Sequence, residues 1–294
     1  MTRVVVVGDL VTDVLVITEG PVAVGSDTRA TITVRGGGAG ANTACWLARG
    51  GVDPVLVARV GNDESGRARL LELLGAGVDS EVTVDPAAAT GSIVVVVGAD
   101  GERTMLTDRG ASRRLSVADV PAAVLTGARH LHLSGYPLFD DGSRAAASHA
   151  LAAARAAGLT TSVDAASAAP LPRLGAVRFL DLCAGADLLL ANAEEAQVLT
   201  GCAEAAHAAQ LLAGRFAVAV VKAGAAGAVW ASGDAVVPGR AQPARVRDTT
   251  GAGDAFAAGL LIGWLAGAAP AAALGAGASL AAEAVTVTGG RPAG

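Results

Sequence analysis

Asp248-Thr249-Thr250-Gly251-Ala252-Gly253-Asp254-Ala255-Phe256 is a run of small residues that opens directly onto an apolar helical pattern, Ala255 to Ala266. A Gly-Ala-Gly loop lets backbone come close to a ligand. The first turn of the following helix presents unpaired N–H groups and the positive end of the helix dipole. Loop and helix start together suit a phosphate, or charge developing on one. Asp254 stands at the mouth of that site, where a carboxylate would normally repel an anion. Two readings account for it. Asp254 is a general base that takes the proton from a hydroxyl attacking a phosphoryl group, or it is a helix cap.

Upstream of this run, apolar strand segments alternate with helical patterns. Val4–Val7, Val55–Val60, His130–Ser134, Thr160–Val163, Leu188–Ala191 and Val218–Val221 read as strands, several of them continuous apolar runs that suit a sheet covered on both faces. Helical patterns cover Ala39–Arg49, Ser65–Leu74, Val117–Leu125, Arg144–Ala157, Arg173–Cys183, Glu194–Leu199 and Ala203–Leu212. Repeated βα units predict an α/β fold, a doubly wound, mostly parallel sheet flanked by helices, with its ligand crevice at the C-terminal ends of the strands. Two segments break the rhythm. Val14–Ile17 with Ala30–Arg35 reads as extended strand, and Ser92–Val97 with Arg103–Thr107 as a hairpin around Asp100-Gly101. Packed together, about 12–35 and 90–108 would make a small β-sheet lid; apart, they would be ordinary edge hairpins. The expectation is a single domain, 1–294.

Composition narrows the function. At 294 residues, 52% hydrophobic and 17% charged, the chain can bury a large core. A formal net charge of −5 and 3% aromatic residues argue against a nucleic-acid partner. No stretch reads as a spanning helix, and the N-terminus enters a strand without a basic segment or cleavage site, so no membrane role is expected. Cys45, Cys183 and Cys202 are far apart and form neither CxxC nor zinc spacing, which predicts a reducing, cytoplasmic setting. Lys222 is the only lysine and follows Val221, so no P-loop is present. Gly36-Gly37-Gly38-Ala39-Gly40-Ala41-Asn42 lacks the third glycine of a dinucleotide fingerprint. A nucleotide must bind by another device.

Four motifs, in order and at strand ends, give the chain its resemblance to the ribokinase-like (PfkB) carbohydrate kinases. They are Gly37-Gly38-Ala39-Gly40-Ala41-Asn42-Thr43-Ala44, Asn192-Ala193-Glu194-Glu195, Lys222-Ala223-Gly224-Ala225-Ala226-Gly227 and Asp248 to Asp254. The resemblance covers nearly the whole length. It implies a β-sheet lid on an α/β core, and transfer of the ATP γ-phosphate to a hydroxyl, usually on a sugar. It also implies Asp254 as base and the N–H groups of Gly251, Ala252 and Gly253 as anion hole. Asp13, Gly37, Gly38 and Asn42 match the sugar floor, and Lys222 and Gly224 lie near the nucleotide phosphates. Asn192 and Glu195 match an element that orders Mg²⁺ largely through water; a capping arrangement at a helix start is the alternative. Asp248 and the carbonyl of Thr250 match residues that hold K⁺ in several members. A homodimer through the lid is a further implication.

The chain departs from the family in places. Ala39 stands where many members acting on sugar phosphates have lysine, and Ser112 where many ribokinases have asparagine. Arg109 reads either as a contact for a substrate carboxylate or as a surface arginine. Ala278 and Ser279 stand where adenine-facing polar residues are common. His130 and His132 share a strand face and read as packing. The alternative functions are a nucleoside kinase, with Tyr136, Phe139 and Trp46 as candidate base-stacking residues, and a non-catalytic sugar-sensing protein, against which the intact base and anion hole argue.

Overall fold

Val4 to Val7 are fully buried on both sides of their strand, alternately facing two cores. The computed structural model, which describes residues 2–98 and 103–293, is built outward from this strand. The first half of the chain contains β1 (Arg3–Val7), β2 (Val11–Thr18), β3 (Ala30–Gly37), α1 (Ala39–Arg49), β4 (Asp53–Gly61), α2 (Glu64–Gly75), β5 (Asp79–Asp85), β6 (Thr90–Val97), β7 (Arg103–Gly110), β8 (His130–Ser134), α3 (Tyr136–Phe139) and α4 (Asp141–Ala156). The second half contains β9 (Thr160–Asp164), α5 (Leu171–Leu174), α6 (Ala176–Leu182), β10 (Leu188–Asn192), α7 (Ala193–Thr200), α8 (Ala205–Ala213), β11 (Val218–Lys222), β12 (Ala228–Ser232), β13 (Ala235–Gly239), α9 (Ala252–Leu265) and α10 (Pro270–Ala284).

The main sheet has the order β13-β12-β11-β10-β9-β8-β1-β4-β5, parallel except for the β12–β13 hairpin at one edge. Chain direction across the sheet reverses at β1, which pairs with β4 on one side and β8 on the other. Such a switch point opens a crevice at the strands' C-terminal ends. Val5 and Val7 pack with α4 and α6 to α8 on one face; Val4 and Val6 pack with α1, α9 and α10 on the other. This two-sided burial is why the strands read as continuous apolar runs.

The second sheet has the order β3-β2-β6-β7, with β2–β6 parallel and the other pairs antiparallel. The two irregular segments therefore form one sheet. Register assigns its faces. Asp13, Leu15 and the buried Val95 share one; Val14, Val16, Ile32, Val34, Val94 and Leu106 share the other. The turn expected at Asp100-Gly101 lies outside the described residues.

Two expectations about elements are corrected. Val117–Leu125 is two short 3-10 turns, Val117–Asp119 and Ala122–Leu125, because Pro121 between them is extended and has no N–H to donate. The Arg173–Cys183 pattern divides into α5 and α6 at Gly175, whose φ is +93°. Strand β5 was not expected. It is a polar edge strand, Asp-Ser-Glu-Val-Thr-Val-Asp, and lacks the apolar run that marked its neighbours. The β12–β13 hairpin was missed as well.

Candidate active site

The parallel strands place polar residues at their C-terminal ends: Ser134 on β8, Asp164 on β9, Asn192 on β10 and Lys222 on β11. With Gly253 and Asp254 from α9 they line a cavity of about 270 Å³, together with Glu195, Gly224, His132 and Thr43. Six residues singled out in the sequence thus meet in one cavity, although 62 positions separate Asn192 from Asp254.

Gly251 precedes α9 in the left-handed region, φ +73°, and a side chain there would collide with the Gly290 backbone. The chain turns sharply at this point, and α9 begins at Ala252, whose N–H turns back to the Thr249 carbonyl at 3.3 Å. Asp254 sits in that first turn and accepts a 2.9 Å hydrogen bond from Asn42 Nδ2. Its side chain does not cap α9, so the capping alternative is not what the geometry holds. Burial raises the Asp254 carboxyl to about 7; Asn42 and Lys222 pull it down, and the Asp164 and Asp13 carboxylates push it up. A carboxylate poised near neutral pH is suited to accepting a proton.

Asn42 lies in α1, whose N-terminal flank, Gly38, has φ +96° and leaves no room for a side chain against the Asp9 carbonyl. Gly37 leaves the space that the Asp13 carboxylate occupies; a Cβ there would overlap it. Asp13 rises to about 6 because burial outweighs the lowering by Arg291 and Arg69. Asp13 Oδ1, Asn42 Oδ1 and Ser134 Oγ are buried without a hydrogen-bond partner among the described residues. Buried polar atoms are normally satisfied.

Lys222 is half-buried and gives its ammonium to Asp164 Oδ2 at 2.5 Å. Burial would lower its pKa, but Asp164 and Glu195 outweigh that and raise it. It is not a solvated strand end. Asn192 and Glu195 form a capping box on α7. Asn192 Oδ1 accepts from Glu195 N at 2.8 Å, and Asn192 N donates to Glu195 Oε2 at 2.7 Å. The capping alternative is therefore present, and it fixes both side chains at the cavity wall. Desolvation, with Asp164 nearby, raises the buried Glu195 carboxyl. Among the described residues no group of three His, Cys, Asp or Glu is arranged to wrap a metal ion. The oxygen donors Asp164, Asn192 and Glu195 suit a hydrated hard cation that keeps its waters.

Asp248 accepts from Thr250 N at 2.9 Å and Thr250 Oγ1 at 2.8 Å, and its other oxygen from Gly289 N at 2.9 Å. It ties the loop before α9 to the C-terminal segment. A second cavity of about 640 Å³ shares Lys222, Gly224 and Gly253 with the first and runs between apolar walls that include Val246, Phe256, Leu274, Ala278 and Val285. Ser279 instead accepts from Gln242 Nε2 at 2.8 Å.

Several residues were missed in the sequence. Asp164 and Ser134 each stand at the C-terminal end of a parallel strand, as Asn192 and Lys222 do. Arg109 is neither on the surface nor open to a substrate: its guanidinium pairs with Asp9 at 2.5 Å and with Asp140, and lies 5.2 Å from the Tyr136 ring centre. Trp46 is fully buried and donates to the Gly290 carbonyl at 3.0 Å; Phe139 stacks on Phe179. Neither is available to stack on a base. His130 and His132 are buried around the Ser162 hydroxyl at 2.8 Å, the packing role expected. Burial lowers them to about 3 and about 4, so both are neutral.

Comparison with known proteins agrees with the fold. The chain is 34% identical to an ATP-dependent ribose-1-phosphate kinase of Halopiger xanaduensis, over 78% of this chain and 73% of that one. It superimposes on a probable sugar kinase of Rhizobium etli with a TM-score of 0.91 at 26% identity, covering 100% of this chain and 96% of that one. An adenosine kinase of Sinorhizobium meliloti gives 0.89 at 25% identity, covering 99% and 96%. The family described as pfkB family carbohydrate kinase matches residues 1–293. The chain belongs to the pfkB family of carbohydrate kinases, and its reaction is ATP-dependent phosphorylation of a sugar.

Proposed function

We propose that this kinase acts on a neutral sugar, with Asp254 as the base that deprotonates the attacking hydroxyl. The observation that carries the proposal is the Asp254 carboxyl, raised to about 7, in the first turn of α9 at a cavity that the unpartnered Ser134 Oγ also lines. Asp13 and Asn42 receive sugar hydroxyls, and Gly37 and Gly38 let the ring lie against backbone. The apolar slot takes the adenine. Lys222 and Gly224 meet the phosphates where the two cavities join. The N–H groups of Gly251, Ala252 and Gly253 face charge that develops on the transferring group. Mg²⁺ held through water by Asn192, Glu195 and Asp164 would neutralise charge on the phosphates. K⁺ at Asp248 and the Thr250 carbonyl would stiffen the anion-hole loop.

A neutral substrate is supported by the cations near the cavity. Lys222 is paired with Asp164, and Arg109 with Asp9 and Asp140. Arg69 and Arg291 are both held by Glu72. Ala39 lines the cavity and offers no charge to a substrate phosphate. We further propose that the chain is one domain with the second sheet as its lid, and that the outer face of that sheet pairs two copies. Ile32, Val34 and Leu106 on that face are 63%, 60% and 59% exposed. Three free cysteines, two of them buried, support a cytoplasmic setting; among the described residues no helix is long and apolar enough to cross a membrane. The test is a coupled ADP-release screen over pentoses, hexoses, sugar acids, sugar phosphates and nucleosides. Release with a neutral sugar supports the reading. Release with a nucleoside or a sugar phosphate alone overturns it.

A further inference from the structure

A second polar bowl of about 680 Å³ is lined by Arg113, Arg114, Arg144, Arg173 and Arg178. The chain as a whole is acidic, at −5, yet five of its 22 basic residues gather here. Only two carboxylates, Asp140 and Asp141, line the same bowl. It shares no lining residue with the catalytic cavity or the adenine slot. It is built from the turn after β7, the loop and first turn of α4 after β8, and the α5–α6 segment after β9. The connections after β8 and β9 leave the same rim of the main sheet as the catalytic crevice.

The arginines differ in how they are engaged. Arg144 is committed to Asp141 and to the carbonyls of Leu138 and Phe139. Arg114 pairs with Asp85 at 2.9 Å and Arg113 with Asp140 at 3.4 Å, both through the guanidinium Nε. Arg173 and Arg178 are exposed and make no hydrogen bond or close ion pair among the described residues, and they act on Asp141 of the same bowl only at longer range. Five like charges around one hollow repel each other, and an acidic chain has no need to bring them together for solubility. A guanidinium offers a planar fork of donors that matches phosphate oxygens.

We propose that this bowl binds the phosphate group of a small metabolite, separately from catalysis. Arg173 and Arg178 supply the free forks, and Arg113 and Arg114 turn their remaining donors inward. The site borders the sugar region through Asp140, which the structure shares between Arg113 and Arg109. A phosphate that recruits Arg113 leaves Asp140 to Arg109, whose other partner is Asp9 at the end of β1.

The test uses the full chain with its nucleotide site filled by Mg²⁺ and a non-hydrolysable ATP analogue, at fixed ionic strength. Inorganic phosphate and ribose 5-phosphate are titrated by calorimetry into the wild type and the double variant Arg173→Ala, Arg178→Ala. Both side chains are exposed, so the fold is not at risk. The proposal expects binding to the wild type that weakens at least ten-fold in the double variant. Tighter binding of ribose 5-phosphate assigns the site to an organic phosphate; equal or tighter binding of inorganic phosphate assigns it to the free anion. No heat with either probe, or equal affinity in wild type and variant, overturns the proposal. The readout is binding alone, so it does not depend on which sugar the enzyme turns over.

Discussion

Replacing Asp254 by asparagine should cost activity and add stability, and the two effects share one cause. The substitution keeps the shape of the side chain, and its amide oxygen can still accept from Asn42 Nδ2, which now bonds the carboxylate at 2.9 Å. It removes the proton acceptor. Loss of a general base typically costs ~10²–10⁴ in rate, so kcat should fall by at least about 100-fold while sugar affinity stays near that of the wild type. On stability, the carboxyl is raised from 3.8 to about 7 by desolvation and by the carboxylates nearby. The folded protein therefore holds this proton more tightly than the unfolded chain does. Stability from the group is fully present below about pH 4 and is lost as pH rises through about 7. Three pKa units correspond to about 4 kcal/mol, but the half-buried side chain borders an open crevice, and water should reduce this to about 1–2 kcal/mol. The asparagine variant avoids that cost. Its Tm should exceed that of the wild type by a few degrees at pH 8, on the order of 2–4 °C per kcal/mol for a chain of this size, and by less at pH 5. Steady-state turnover with ATP, sugar calorimetry and melting at both pH values provide the assay. A variant that keeps more than about a tenth of kcat, or a Tm difference that does not grow with pH, would refute the reasoning.

Four other outcomes are expected. Asp13→Ala should raise KM for the sugar far more than for ATP, by roughly the 1.5–3 kcal/mol of a lost charged hydrogen-bond partner; equal effects on both substrates in initial-rate assays would show a structural role. In the wild type, kcat/KM should rise with pH through a single deprotonation near 7, as burial sets for Asp254; a flat profile between pH 6 and 8 would count against it as base. Activity should require Mg²⁺, and kcat should increase when K⁺ replaces tetramethylammonium at constant ionic strength, since Asp248 anchors the loop before α9 to Gly289; an unchanged kcat would remove the K⁺ site. Ile32→Lys with Val34→Lys should convert a dimer to a monomer in sedimentation runs, and a wild type already monomeric at micromolar concentration would remove the proposed pairing.

The core of the fold was legible because its strands are buried on both faces. Val4–Val7, Leu188–Ala191 and Val218–Val221 carry unbroken apolar runs, and the last two lead into Asn192 and Lys222 at the cavity wall. Strand β5 was not legible, since an edge strand with exposed faces needs no such run. The helix expected across Val117–Leu125 failed on Pro121, a backbone constraint that outweighs a good apolar period. At the site, loop glycines and strand-end polar residues announced Asp254, Asn192 and Lys222. Asp164 escaped because nothing in the sequence shows that it lies beside Lys222, 58 positions away. Arg109 had two sequence readings, and both gave way to a buried network with Asp9 and Asp140, which only the fold brings together.

The central claim is that Asp254 and the start of α9 transfer the ATP phosphoryl group to a neutral sugar. The most direct measurement is ³¹P NMR of the products when ATP, Mg²⁺ and the best sugar from the screen are mixed with enzyme. The account predicts equal growth of ADP and of one sugar phosphomonoester with the wild type, and neither with the Asp254→Asn variant. ADP accompanied only by inorganic phosphate, or a sugar phosphate formed equally well by the variant, would contradict it.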